Sequence, residues 1–114
     1  MIHIALHFIV PLIIALAFYR SRWLNATFIM MATFIVDADH LLADPIYDPS
    51  RCSIGFHPLH TTPAIVIYAA MFTLALLAGR KANGQGLHPT ACVLHLVGLG
   101  LLTHMALDWI DCMV

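Results

Sequence analysis

The sequence predicts an all-α fold: an integral membrane four-helix up-down bundle with one long outer loop. The first observation behind this prediction is composition, since 61% of the 114 residues are hydrophobic and 10% are charged, whereas about 25% of a soluble domain is charged. The second is the mean hydropathy of +0.90, which excludes a soluble domain with a polar surface. The third is the grouping of the apolar residues into four runs, each near the length that crosses a hydrocarbon core.

The four runs define the helices, and the length of the chain fits them into a single domain, residues 1–114. Arg20 and Arg22 end the first run. A cleaved signal peptide carries its positive charge before its apolar part, so we interpret this run as a retained span. Pro63 fits the first turn of the third span. The predicted spans cover residues 2–19, 23–42, 63–79 and 90–110.

Positive charge is concentrated at one end of the predicted bundle. Arg20, Arg22, Arg80 and Lys81 lie at that end, and Arg51 lies at the other. The positive-inside rule assigns the basic end to the cytoplasm. We therefore predict a multi-pass protein of a bacterial inner (plasma) membrane, with both termini and the long loop on the periplasmic, outer face.

The expected partners are membrane lipids, because most of the predicted surface is apolar. Gly98 and Gly100, with Ala106, favour close approach of span four to a neighbouring helix, either within the chain or in a homo-oligomer. Nucleic acid is not an expected partner, since there is no basic stripe. Aromatic residues near the span ends are typical of an interfacial belt; these are Tyr19, Trp23, Tyr47, Tyr68 and Trp109.

Threading the chain through four spans brings the acidic residues and most of the histidines to the outer end. All 6 acidic residues and six of the 8 histidines fall there. Residues three or four apart share a helix face, as do His3 with His7 and His104 with Asp108. Each pair alone fits an interfacial histidine or a buried ion pair. Their convergence indicates a common site.

Neutral imidazole and carboxylate are ligands for zinc and other divalent first-row metals. We therefore predict a site for one to three divalent ions, with zinc expected first and manganese or iron as alternatives. Asp39 is assigned a catalytic role, as a bridge between two ions or as general base, and Asp108 is assigned to the catalytic machinery as well. The predicted ligands are His7, Asp37, Asp39, His40, His57, His60, His104 and Asp108, with His3 and Asp111 as further candidates.

The order of these motifs resembles that of the membrane-bound metal-dependent hydrolases, also described as LexA-binding, inner-membrane-associated hydrolases. That family has an early histidine, an Asp-x-Asp-His at the end of a span, a histidine-containing loop and a late His-x-x-x-Asp. Here the matches are His3 or His7, Asp-Ala-Asp-His at residues 37–40, Gly-Phe-His-Pro-Leu-His-Thr at residues 55–61, and His104 with Asp108. Short uncharacterised four-span bacterial proteins share the loop at residues 51–60 letter for letter.

The resemblance implies hydrolysis at a bound metal, and two departures from the family pattern bear on the substrate. Val36 stands where a proline is usual, and the loop lacks the arginine that commonly follows its first histidine. Arg51 is therefore the candidate for substrate binding in its place. The paired His-x-x-x-Asp style is also similar to that of soluble zinc-dependent phospholipases C, which favours phosphoester chemistry.

The leading functional prediction is a metal-dependent hydrolase, acting on an ester or phosphoester of a lipid or lipid-linked substrate at the periplasmic face. The alternative is a metal-binding membrane protein without catalysis, for transport, storage or sensing. A transporter needs polar groups through the membrane, and His95 lies on the opposite helix face from His104, so we interpret it as structural. A bis-histidine haem site is disfavoured by the carboxylates beside the histidines.

The cysteines form a separate prediction, because Cys52 and Cys112 both map to the outer end while Cys92 lies near the inner one. In an oxidising periplasm the first two can form a disulfide that ties the loop to span four. Two free thiols and thiolate ligation of the metal remain as alternatives at this stage.

Overall fold

The computed structural model describes residues 2–42, 52, 54–55, 57–80 and 86–113, with the side chains of residues 2, 3 and 40 left out. Within these residues the chain is helical, which confirms the all-α class. Its four α-helices are α1 (Ile2–Phe18), α2 (Trp23–Ala32), α3 (Thr62–Ala78) and α4 (Pro89–Met113). Three 3₁₀ helices accompany them, η1 (Arg20–Arg22), η2 (Thr33–Leu42) and η3 (Pro58–His60).

The second predicted helix changes type halfway along its length. The sequence predicts one continuous span over residues 23–42, but the α-helix ends at Ala32 and a ten-residue 3₁₀ helix follows it. A 3₁₀ helix has three residues per turn, so residues three apart lie directly above one another. Thr33, Val36 and Asp39 follow this spacing and are all buried. Six residues of an α-helix make about 1.7 turns, which would turn Asp39 away from the side of Thr33.

Helix α4 is the centre of the fold and packs against α1, α2 and α3. Two core layers meet along it. In the half of α4 nearer Pro89, Ala15, Ala26 and Met30 surround Leu96. Nearer the outer end, α4 supplies Met105 to the second layer, whose other buried members are Val36, Ala64 and Tyr68. The end of η2 and the start of α3 are therefore held against the same stretch of α4.

Two glycines let the neighbouring helices approach α4 closely. A Cβ on Gly98 would lie 2.6 Å from the backbone nitrogen of Phe72 and 2.9 Å from the backbone oxygen of Tyr68. A Cβ on Gly100 would lie 2.9 Å from the Cα of Met30. The predicted close approach of span four to its neighbours is thus found within the chain, on two sides of α4, whereas Ala106 is exposed.

His95 has the structural role that its position indicated. It is buried, and its Nδ1 lies 3.1 Å from the backbone oxygen of Phe72, so this nitrogen carries the proton and donates it. The Tyr19 hydroxyl then donates to Nε2 over 2.6 Å. On the same side of α4, the Arg22 guanidinium donates to the Sγ of Cys92 over 2.9 Å. These contacts join Tyr19 and η1, which follow α1, to α3 and α4.

Among the described residues, α4 alone is long and apolar enough to cross a membrane as a single helix. The segments Ile4–Phe18 and Arg20–Asp39 reach that length and hydropathy only together, and they are bent by 119° relative to each other. Helix α3 is apolar but shorter. A core helix of a soluble protein can have the same properties as α4, so the four-span membrane arrangement stays a prediction.

Candidate metal centre

Side chains from four elements converge at the end of the bundle where η2 and η3 meet α4. Helix α1 contributes His7, and η3 contributes His60. His57, the residue before η3, lies beside His60. All three imidazoles are buried. The other members come from η2, with Asp37 and Asp39, and from α4, with His104 and Asp108.

Four of these residues form a group that could hold a metal ion. Asp37, His60, His104 and Asp108 each offer one ligand atom, and the four atoms lie within 4.8 Å of one another. His60 Nε2 lies 3.2 Å from Asp37 Oδ1 and 3.0 Å from Asp108 Oδ2. His104 Nε2 lies 2.9 Å and 3.2 Å from the same two oxygens. Two nitrogens and two oxygens thus surround one point. We call these four residues the His/Asp group.

Four of the six separations among these atoms are close to the edge length of a small coordination tetrahedron. Zinc bonds to histidine nitrogen and carboxylate oxygen are about 2.0–2.2 Å long, which places ligand atoms about 3.3 Å apart. The four nitrogen–oxygen separations in the His/Asp group run from 2.9 to 3.2 Å. The nitrogen–nitrogen and oxygen–oxygen separations are at most 4.8 Å, so side-chain rotations that shorten them would bring the four atoms toward bonding distance of one ion.

The contacts of Asp39 fix the orientation of His60. Asp39 Oδ2 accepts hydrogen bonds from the backbone N–H of Leu59 and from His60 Nδ1, both at 2.9 Å. His60 Nδ1 therefore carries a proton, and its Nε2 points at the carboxylates of Asp37 and Asp108. A carboxylate that accepts the second N–H of a ligating histidine is the usual support of a metal site. In the structure Asp39 thus positions His60, and its predicted role as a bridging or general-base carboxylate stays a prediction.

A proton or a metal ion must lie between the nitrogen and oxygen atoms of the His/Asp group, because nitrogen lone pairs and carboxylate oxygens would otherwise face each other at about 3 Å in a buried site. The four atoms are bridged either by a proton on each Nε2, which makes His60 an imidazolium because its Nδ1 is protonated too, or by a metal ion. Burial opposes a charge on His60, but Asp108, Asp37 and Asp39 outweigh burial and raise its pKa to about 10. A metal ion that binds His60 Nε2 therefore displaces a proton.

His7 and His57 border the His/Asp group. His7 Nε2 lies 3.3 Å from Asp108 Oδ1, and its ring contacts that of His104, with centroids 4.3 Å apart. Asp108 thus has one oxygen toward His7 and the other in the His/Asp group. The ring of His57 lies edge-on to that of His60, with centroids 5.7 Å apart. Both histidines were predicted ligands, and both are neighbours of the four converging atoms.

Of the remaining predicted ligands, Asp111 is described by the structure and is not part of the group. Asp111 is exposed near the end of α4. The side chains of His3 and His40 and the whole of Arg51 lie outside the described residues, so their predicted roles as ligands and as a substrate-binding residue stay predictions.

Sequence reasoning missed Tyr68, which it assigned to an interfacial belt. The residue is buried, and its hydroxyl donates to the backbone oxygen of Leu59 over 2.8 Å. This bond holds η3, and with it His60, against α3. The sequence held one signal for this role. Tyr68 carries a hydroxyl in the second turn of a helix that begins directly after the loop histidines, within reach of that loop.

We expect Asp39→Asn and Tyr68→Phe to weaken metal binding while leaving the His/Asp group intact. Loss of such supporting partners costs about 10–100-fold in metal affinity, and Asp39→Asn should lie at the upper end because it contacts His60 directly. Competition with a fluorescent zinc chelator measures the change. Phe72→Leu, which alters the same helix one turn further on, is the control. Unchanged affinity in both variants would contradict the positioning roles.

Of the three alternatives predicted for Cys52 and Cys112, the structure confirms the disulfide. The two residues are joined with their Cα atoms 5.2 Å apart. The bond ties the chain just before His57 to the end of α4, the helix that carries His104 and Asp108. Two segments of the site are therefore covalently linked. Cys92 is a free thiol at the other end of α4.

Comparison with known proteins identifies a family without assigning it an activity. The model of a family of unknown function, DUF6122, matches residues 1–82. This range includes Asp37 and His60 and ends before α4, which supplies His104 and Asp108. No curated protein and no solved structure matches the chain.

Proposed function

The chain belongs to that family of unknown function, and we propose that it is a hydrolase of the membrane. Its proposed substrate is an ester or phosphoester of a lipid or lipid-linked molecule, and the reaction takes place at a bound divalent metal. The observation that carries the proposal is the convergence of the His/Asp group, with His60 oriented by Asp39. The motif order shared with membrane-bound metal-dependent hydrolases supports the reaction class. Zinc is the expected metal, with manganese or iron as alternatives.

The membrane location in the proposal rests on the outer surface of the helices. Large apolar side chains are exposed on each of the four α-helices, among them Ile13, Phe28, Leu77 and Ile110. A soluble monomer rarely exposes apolar patches of such extent. Four spans in a bacterial inner membrane, with the basic end in the cytoplasm, would cover this surface with lipid and place the His/Asp group at the periplasmic interface.

Exposure within the His/Asp group indicates where a substrate would approach. The Asp37 side chain is 27% exposed, whereas those of His60, His104 and Asp108 are 0%, 3% and 6% exposed. The open side of the centre is therefore that of Asp37. A metal ion there would lower the pKa of a bound water and polarise a phosphoryl or carbonyl oxygen. Asp108, held by His7, would keep its second oxygen aimed at the centre.

The second candidate function is metal binding without catalysis, for storage, sensing or transport. The burial of three of the four residues favours it, because metal sites that only bind or stabilise are closed by protein ligands. The two functions differ in whether a coordination position on the Asp37 side stays open to water.

Metal content tests the shared premise, and turnover separates the two functions. We expect elemental mass spectrometry of the detergent-purified protein to find about one zinc, manganese or iron per chain. His104→Ala and Asp108→Asn should lose it, while His88→Ala, an exposed histidine at the other end, should retain it. Hydrolysis of phosphoester or acyl-ester lipids that is lost in the same two variants supports the enzyme. Metal without turnover supports the alternative, and a metal-free protein that takes up none contradicts both.

A further inference from the structure

An apolar groove of about 520 Å³ runs along the bundle beside the His/Asp group. Helix α4 forms one wall, and the α2–η2 segment and the start of α3 form the other. The volume lies within the range of about 300–1,000 Å³ that is typical of small-ligand pockets. It is a separate space from the metal centre, and the proposed function does not use it.

The groove is long and its wall is apolar. Val93, Val97 and Leu101 line it from α4 at intervals of four residues, so it follows that helix for about 12 Å at 1.5 Å per residue. Two hydroxyls occur in the wall, those of Thr33 and Tyr68. Each already donates to a backbone carbonyl oxygen within its own neighbourhood. The occupant that this wall fits is an extended hydrocarbon rather than a polar molecule.

One end of the groove is lined by close chain neighbours of the His/Asp group on three elements. The lining residues Val36 and Leu59 directly precede Asp37 and His60 in the chain. Leu101 lies one turn before His104 on α4. An elongated ligand in the groove therefore has one end beside the His/Asp group and the other directed toward the inner end of α4.

We propose that the groove binds one acyl chain of a membrane lipid whose polar head group lies at the His/Asp group. This inference rests on the proposed function and narrows its substrate to a lipid ester with an acyl chain held in a defined channel. The polar head group lies on the open side at Asp37, and the chain lies between α4 and η2. Both the length of the groove and its contact with three ligand-bearing elements favour an acyl chain over an apolar protein segment.

Photo-crosslinking tests the occupancy of the groove directly. The full chain is reconstituted into phosphatidylethanolamine vesicles that contain a phospholipid with a diazirine midway along one acyl chain, and cross-linked peptides are mapped by mass spectrometry. We expect the label to concentrate at the groove wall, around Val97 and Ile35. Val97→Trp should lower this labelling at least about fivefold by filling the groove, whereas Leu94→Trp, at an exposed position on the same helix, should not change it.

Ala32→Phe narrows the groove from the opposite wall and provides a second test if Val97→Trp does not fold. Uniform labelling of all exposed helix faces, or labelling that neither substitution lowers, would overturn the groove proposal. The readout does not depend on turnover, so specific labelling without hydrolysis supports acyl-chain binding in the groove and contradicts the proposed hydrolase activity. If the rate of hydrolysis changes neither with acyl-chain length nor with either substitution, acyl-chain binding in the groove is contradicted and the hydrolase activity is supported.

Discussion

Removing the Cys52–Cys112 disulfide is expected to lower the free energy of unfolding by about 2–4 kcal/mol. The bond closes a loop across a sequence separation of 60 residues, and cross-links that close long loops restrict the unfolded chain most. The double variant Cys52→Ser/Cys112→Ser, compared with the wild type by thermal unfolding in detergent, gives the value. Cys92→Ser, which removes the free thiol and keeps the bridge, is the matched control.

The same variant should also bind metal more weakly. The bridge anchors the chain just before η3 to α4, so without it the metal must order the segment that carries His60 at the expense of chain entropy. Reduction of the wild type should reproduce both effects. A double variant as stable as the wild type, with the same metal affinity, would show that the loop is held by its noncovalent contacts alone.

Replacing Gly98 with leucine is expected to separate α3 from α4 and to destabilise the protein by more than the usual cost of overpacking, about 1–3 kcal/mol. The new Cβ would meet the backbone nitrogen of Phe72 at 2.6 Å and the backbone oxygen of Tyr68 at 2.9 Å. Backbone atoms cannot rotate away as side-chain atoms can, so the helices themselves must move. That movement would displace Tyr68 and, through its bond to Leu59, the segment that carries His60.

Thermal unfolding and metal content should therefore both fall in Gly98→Leu. Gly98→Ala is expected to show a smaller loss of stability, and Ala106→Leu, at an exposed position of the same helix, should show almost none. If Gly98→Leu unfolds at the wild-type temperature, the close approach of α3 and α4 is not needed for stability.

The bounds of the α-helices were largely predictable because the apolar runs end at charged residues and prolines. The predicted third span, residues 63–79, is offset by one residue from Thr62–Ala78, and the fourth lies within Pro89–Met113. The change to a 3₁₀ helix at Thr33 was not predictable. No glycine or proline marks it, and the same apolar residues suit both helix types, so the sequence pattern does not distinguish between them.

The composition of the site was predictable and the division of roles was not. All four members of the His/Asp group stood among the predicted ligands, because their elements end on one side of the bundle. Asp37 and Asp39 are two residues apart, and only the twist of η2 decides which faces the centre and which faces Leu59. The same holds for His57 and His60, whose separation by one 3₁₀ turn is a property of the fold.

The three-residue repeat of η2 also constrains the evolution of this segment. In a helix with three residues per turn, inserting one residue before Val36 would rotate everything after it by about 120° and advance it by about 2 Å. Asp37 and Asp39 would then both leave the positions from which they reach His60. An insertion of three residues would restore their facing, but it would carry them about 6 Å past η3. Family members that retain the site are therefore expected to keep a constant number of residues between α2 and Asp39.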